Sequence, residues 1–262
     1  MELREAIGRR RSIRFLDPGR QVEVEKVQRM LEAARLASHW GNVQSLRAVV
    51  VMKETAPREV IDALQAPVAG YQIKLAPVVI VWYLDTSAVD EQSDRLRELV
   101  DCGALGYGDD KRAALEETLI PMFNSILDSL KSPGLGEVDC GQGIAHATLV
   151  AYEQGLGTCC LGTPYTDQIR QNLGMPEHCR VLCLQTVGYP AEDPEAGGQR
   201  PRRPFEEIFH LNGYGNGFPR SQAVVDELAA DGMLTAPAPL PGREDELKTL
   251  QERLGLKGHG LF

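Results

Sequence analysis

Two arginine clusters are the first candidates for chemistry in this chain. Arg9, Arg10, Arg11 and Arg14 stand near its start, and Arg200, Arg202 and Arg203 stand far downstream. The protein carries a formal net charge of -9, so both clusters run against its overall field. Like charges repel, and a fold that brings the clusters together needs an anion between them. The run Arg10-Arg11-Ser12-Ile13-Arg14 interleaves guanidinium forks with a hydroxyl donor, a pattern suited to phosphate oxygens. On charge alone, two solvated basic stretches would fit as well.

Other reactive groupings are weaker. Cys102, Cys140, Cys159, Cys160, Cys179 and Cys183 form no CxxC pair and no His/Cys run at zinc spacing, so they read as small buried hydrophobes and no metal is expected. We find no convincing Ser/His/Asp set or paired carboxylates, and no GxGxxG fingerprint for tight nicotinamide binding. The acidic balance argues against nonspecific nucleic-acid binding. The apolar runs fall short of a membrane span, and the charged stretch from Met1 to Arg11 lacks a signal-peptide core. A cytoplasmic protein is expected.

The elements that must position these residues follow from periodicity. Leu3, Ala6 and Ile7 share a helical face leading into the first arginines. Val24, Val27, Met30, Leu31 and Ala34 predict an amphipathic helix to about Ala37. After the loop Ser38-His39-Trp40-Gly41-Asn42, the β-branched run Leu46 to Met52 predicts a buried strand, and Pro77 to Leu84 a second. A short helix is expected from Pro57 to about Gln65. Val89 to Leu130 reads as two helical stretches broken near Gly103 to Gly108, an excursion suited to covering a substrate. Glu137 to Gln154 is apolar over most of its circumference, as in a helix buried in a large core or against a partner subunit. Thr158 to Leu161 and Arg180 to Gly188 complete four strands, with a helix from Tyr165 to Asn172 between them. Ala191 to Pro204, rich in Pro, Gly and charge, predicts no folded element. Two further helices are expected near Ser221 to Ala230 and Arg243 to Leu254. The fold class is α+β, helices packed on a mainly antiparallel or mixed sheet.

These motifs, in this order, resemble the FMN-dependent nitroreductase family over roughly residues 3 to 215. Arg10 to Arg14 resembles the N-terminal phosphate-binding motif. Asn42-Val43-Gln44 resembles the Asn-x-Gln loop that faces the flavin ring. Asp139 to Gly157 resembles the central dimer helix, and Gly157-Thr158-Cys159-Cys160-Leu161-Gly162 the strand after it. Val187-Gly188-Tyr189-Pro190 and Arg202-Arg203-Pro204-Phe205-Glu206-Glu207 resemble the C-terminal signature.

The resemblance implies a homodimer with two FMN sites between the subunits, NAD(P)H as transient electron donor, and a domain spanning 1–215. Residues 216–262 would form a helical extension available to a partner subunit. Arg10, Arg14 and either Arg202 or Arg203 would surround the phosphate, with Ser12 donating to it. Arg11 would point toward the ribityl chain or ring edge, while Arg9 and Arg200 would remain surface charges. Asn42 and Gln44 would meet the flavin's polar edge, and Gln44 would tune its electronics. Backbone amides at Cys160, Leu161 and Gly162 would approach the ring. The sequence departs from the family where Ser45-Leu46 replaces a common Pro-Trp, and where His39 and Trp40 stand at usually small positions. Trp40, Tyr107 and Phe123 are the candidate substrate contacts. Reduction of nitroaromatics, quinones or similar acceptors by ping-pong exchange is the leading expectation. A dehalogenase, an ene-reductase, an azoline dehydrogenase, a flavin-fragmenting enzyme and a non-catalytic flavin-binding protein are the alternatives.

Overall fold

A computed structural model describes residues 1–256. Its centre is a four-stranded sheet in the order β1 (Leu46–Met52), β2 (Val78–Asp85), β4 (Cys179–Gly188), β3 (Gly157–Leu161). All three ladders are antiparallel. The two central strands carry the continuous β-branched and apolar runs and bury both faces, whereas β1 and β3 lie at the edges. A register shift between Trp82 and Tyr83 bends the β2–β4 ladder.

One face is covered by α2 (Val24–Arg35) and the later helix over Leu135–Glu153, against which α1 (Leu3–Arg9) packs. Val27, Met30 and Ala34 of α2 meet Ala147 and Ala151 of that long helix over Ile80, Trp82 and Val187. The opposite face takes α3 (Arg58–Ala63) and α4 (Gly70–Leu75). Leu64, Ile73 and Ile169 pack there on Val79, Val81 and Leu184. The sequence pattern does not predict α4, a six-residue helix without an N-cap side-chain bond.

The excursion is helical and broken where expected. It comprises α5 (Gln92–Asp101), α6 (Asp109–Ala114), α7 (Ile120–Asn124) and α8 (Leu127–Lys131), with a π-helical turn at Leu115–Leu119. The long helix is α9 (Leu135–Glu153), and α10 (Thr166–Asn172) follows β3. Gly143 lets α9 lie close to its neighbours: a Cβ there would stand 2.4 Å from the Leu46 side chain and 2.9 Å from the Ala34 carbonyl. A buried polar link joins sheet to helix, since Trp82 Nε1 donates to Gln185 Oε1 and Gln185 Nε2 donates to Thr148 Oγ1, each at 2.8 Å. The outward side of α9 leaves Val138, Gly141 and Ala145 exposed on a single chain.

After β4 the segment through Pro204 has no helix or strand, as expected, yet Glu192, Ala196, Gly197 and Gly198 are buried. The helix α11 (Phe205–Ile208) opens a projecting arm closed by a bridge between His210 and Gly217. Phe205, Phe209 and Phe218 cluster within it. The helices α12 (Gln222–Ala230) and α13 (Arg243–Arg253) then return to their own chain. Arg4 on α1 pairs with Glu227 and Asp231, while Leu250 packs with Phe15, Tyr71 and Leu75. Through residue 256 the extension makes these contacts with its own N-terminal segment; residues 257–262 lie outside the described part.

Candidate functional site

The N-terminal arginines run along the β3 edge. Ser12 bridges Thr158 in parallel, and Ile13 N donates to Thr158 O at 2.9 Å. This added ribbon places Arg10 and Arg14 beside Cys159 and Cys160. Burial lowers the Arg10 pKa, and the neighbouring charges of Arg11 and Arg202 lower it further. Arg200 behaves alike: burial first, then Arg14 and Arg243, push it down. The two clusters therefore lie within electrostatic range of each other, Arg202 acting on Arg10 and Arg14 on Arg200.

Arg200 corrects the expectation of a surface charge, because it is half-buried and donates to Ala196 O at 2.8 Å. Arg203 stays outside, 80% exposed and paired with Glu207 at 3.3 Å. Arg11 is also corrected. Its side chain is 5% exposed and bonds Glu195 at 3.0 Å, Thr235 Oγ1 at 2.7 Å and Gly8 O at 2.5 Å, so it braces the fold rather than reaching toward a ribityl chain. Arg9, as expected, is an exposed surface charge, with Glu5 and Glu195 within 4 Å.

The chain holds 37 Asp and Glu against 28 Lys and Arg. Yet, among the described residues, Arg10, Arg14, Arg200 and Arg202 form no ion pair; Arg14 and Arg202 reach only nearby carbonyls. Carboxylates are abundant, so four neighbouring guanidinium groups left without a carboxylate partner make a candidate anion site. A phosphate dianion fits this donor set.

The Asn42–Gln44 loop lies elsewhere. It leads into β1, the opposite edge strand, so three interstrand steps of about 4.8 Å separate it from β3. Gly41, Asn42 and Gln44 all take positive φ, at 53°, 56° and 53°. Left-handed backbone at two non-glycine residues is costly and marks a constrained loop. Asp139 helps hold it, accepting from Trp40 N at 2.8 Å. Gln44 is exposed and Asn42 half-buried, leaving their amides directed to the loop's surroundings.

Trp40 and Phe123 meet edge to face, with centroids 4.9 Å apart, so the excursion does touch the loop. Tyr107 stands apart, 77% exposed beside Gly103. His39 lines a cavity of about 430 Å³ with Gln44, Arg47 and Trp82; burial lowers its pKa while Asp139 opposes the shift. On β3, Cys160 is exposed and Leu161 buried, and Gly162 just after it is exposed. The neighbouring Cys183 thiol, then the charge of Arg10, hold the Cys160 pKa down against its burial. Asp85, His178 and Cys179 come within 4.8 Å of one another, but Asp85 already accepts from Ser87 N and Oγ.

Comparison with known proteins defines the family. The model of the nitroreductase family matches residues 7–107 and 119–189. An NADH dehydrogenase of Thermus thermophilus is 29% identical over 79% of this chain and 95% of its own length. An NADPH-dependent oxidoreductase of Staphylococcus haemolyticus is 35% identical over 82 residues, which is 30% of this chain and 32% of that protein. A nitroreductase-type chain of Exiguobacterium sibiricum, solved in complex with FMN, superposes with a TM-score of 0.65 at 25% identity, covering 81% of this chain and 98% of that one. A nitroreductase family protein of Streptococcus pneumoniae shares the fold, with a TM-score of 0.61 at 21% identity over 80% of this chain and all of its own. The chain belongs to the nitroreductase family. No helix among the described residues is long and apolar enough to cross a membrane.

Proposed function

We propose that this chain, an FMN-dependent NAD(P)H oxidoreductase, reduces nitroaromatic, quinone or similar small acceptors by a ping-pong exchange in one pocket. The observation carrying this reading is the unpaired quartet Arg10, Arg14, Arg200 and Arg202 in an acidic chain. Those arginines would hold the FMN phosphate, with Ser12 as an added hydroxyl donor. When bound, FMN supplies the two-electron chemistry, and the protein's part is binding, orientation and electrostatics.

Asn42 and Gln44 offer both donors and acceptors, matching the mixed polar edge of a flavin ring. Gln44, an exposed amide on a constrained loop, would favour the more negative reduced form by donating to it. Backbone around Cys160, Leu161 and Gly162 would line the ring. Trp40 and Phe123, already in contact, would shape the acceptor pocket, with Tyr107 at its outer margin.

The separation of the arginines from the Asn42–Gln44 loop supports a site completed by a second copy. The exposed Val138, Gly141 and Ala145 of α9, together with the aromatic arm, would be the surfaces that meet it. Anaerobic addition of NADH or NADPH to the FMN-loaded protein tests the reading. Bleaching of the flavin band, reversed by a nitroaromatic or quinone, is expected. An FMN-loaded protein that neither pyridine nucleotide bleaches would instead be a binding protein or use another donor.

A further inference from the structure

A buried carboxylate links the C-terminal extension to the anion site. Glu192 has a fully buried side chain. One oxygen, Oε1, accepts from the backbone N–H of Arg14 at 2.6 Å and of Phe15 at 3.0 Å. The other, Oε2, accepts from Arg243 at 2.5 Å, and Arg243 is held in turn by Glu246 at 2.8 Å. Glu246 also accepts from Asp193 N at 2.6 Å, closing the network around the Glu192 turn. Arg243 opens α13, whose Leu250 packs on Phe15.

A second set of contacts fixes the other end of the same ribbon. Arg11 is bound by Glu195 and by Thr235 of the extension. Gly8 lies so close to Gly232 and Met233 that a Cβ there would approach them to 2.3 Å. The segment carrying Arg10, Ser12 and Arg14 is therefore gripped at both ends by residues beyond 190.

We propose that Glu192 and Arg243 are positioning residues for FMN, acting through the Arg14 backbone, and that the C-terminal extension sets the affinity of the phosphate site. This inference rests on the assignment of the arginine quartet to the FMN phosphate. The physical reason is preorganisation. Four converging like charges tend to splay apart, and a buried carboxylate bonded to the ribbon's own amides holds one of them in place at no cost to its free guanidinium. Removing one partner leaves a buried charge without its counterpart, which disrupts the turn. Linkage adds a reciprocal consequence: if the extension favours FMN binding, FMN binding must stabilise the extension.

The test compares FMN with riboflavin, which lacks the phosphate, by flavin fluorescence quenching in the full chain. Glu192→Gln and Arg243→Met should each weaken FMN binding about tenfold, the scale of a charge-assisted contact, while riboflavin binding changes by less than about twofold. Arg243→Lys should recover part of the loss, and Lys248→Ala, on the exposed side of α13, should lose nothing. Hydrogen exchange on the unmodified protein covers the case of variants that fail to fold: FMN, and not riboflavin, should slow exchange at Arg14, Phe15 and along α13. A wild-type protein without preference for FMN would remove the phosphate assignment itself. A preference that is retained in both variants, or α13 exchange indifferent to FMN while residues 10–16 become protected, would overturn the positioning role alone.

Discussion

The two edges of the sheet are finished to different degrees. At the β3 edge, a ribbon of arginines is paired to the strand, anchored by Glu192 and Glu195, and clamped by α12 and α13. At the β1 edge, the Asn42–Gln44 loop is constrained in backbone but its amides face outward, next to an α9 surface bearing exposed Val138 and Ala145. In the proposed site, one chain would thus supply the phosphate end and leave the ring-facing part to be completed by a second copy. The contrast follows from physics: four unpaired cations need rigid support to stay together, whereas polar edge contacts can be supplied when two surfaces meet.

The largest effect should come from attacking the open half. Val138→Asp with Ala145→Asp places charges on the outward face of α9, where burial against a second copy would be prohibitive. Sedimentation should then report monomers, with flavin retention reduced by more than about a hundredfold. A variant that stays dimeric with full flavin would mean α9 is not the contact. Next in size, Arg14→Ala should cost about 1.5–3 kcal/mol of FMN affinity, with riboflavin unaffected. Flavin retained at wild-type affinity would refute its role.

Gln44→Ala should act on rate more than on binding, slowing anaerobic flavin reduction by roughly 1–2 kcal/mol in barrier, as loss of one donor to a developing negative charge implies. Stopped-flow bleaching reads it directly. Trp40→Ala should change the acceptor KM several-fold and leave the nicotinamide half-reaction alone; an unchanged KM would make Trp40 a packing residue for Phe123 only. The smallest effect tests the scaffold. Burial lowers the Lys53 pKa to about 8, from an ordinary value of 10.5. Between those values the unfolded chain binds more protons than the folded one, so Lys53 makes stability rise with pH across that window, its burial cost being fully present below pH 8. Denaturant midpoints of Lys53→Met should show a shallower rise from pH 8 to 10 than the wild type.

Much of the scaffold was legible in the sequence. Leu46–Met52 is a strand with the boundaries its β-branched run predicts, and α2, α9, β4, α12 and α13 fall within a few residues of their periodic patterns. Local patterning sets such elements, so local reading finds them. The misread arginines and Glu192 share one cause, a partner distant in sequence. Arg11 looked like a ligand contact because Glu195, its buried partner, lies outside any window around it. Arg200 looked solvated because charge alone does not say which arginine is half-buried and bonded to a backbone carbonyl such as Ala196 O. Glu192 sat unnoticed in a segment rich in Pro, Gly and charge, whose composition conceals a fully buried carboxylate.

The assignment stands or falls most directly on a paired titration of the flavin-free wild-type protein with FMN and riboflavin at low and high salt. Binding of FMN about a hundredfold tighter than riboflavin, with the gap narrowing as salt screens the guanidinium groups, is the expected result. Equal affinity for the two flavins at low salt would contradict an arginine site built around a phosphate.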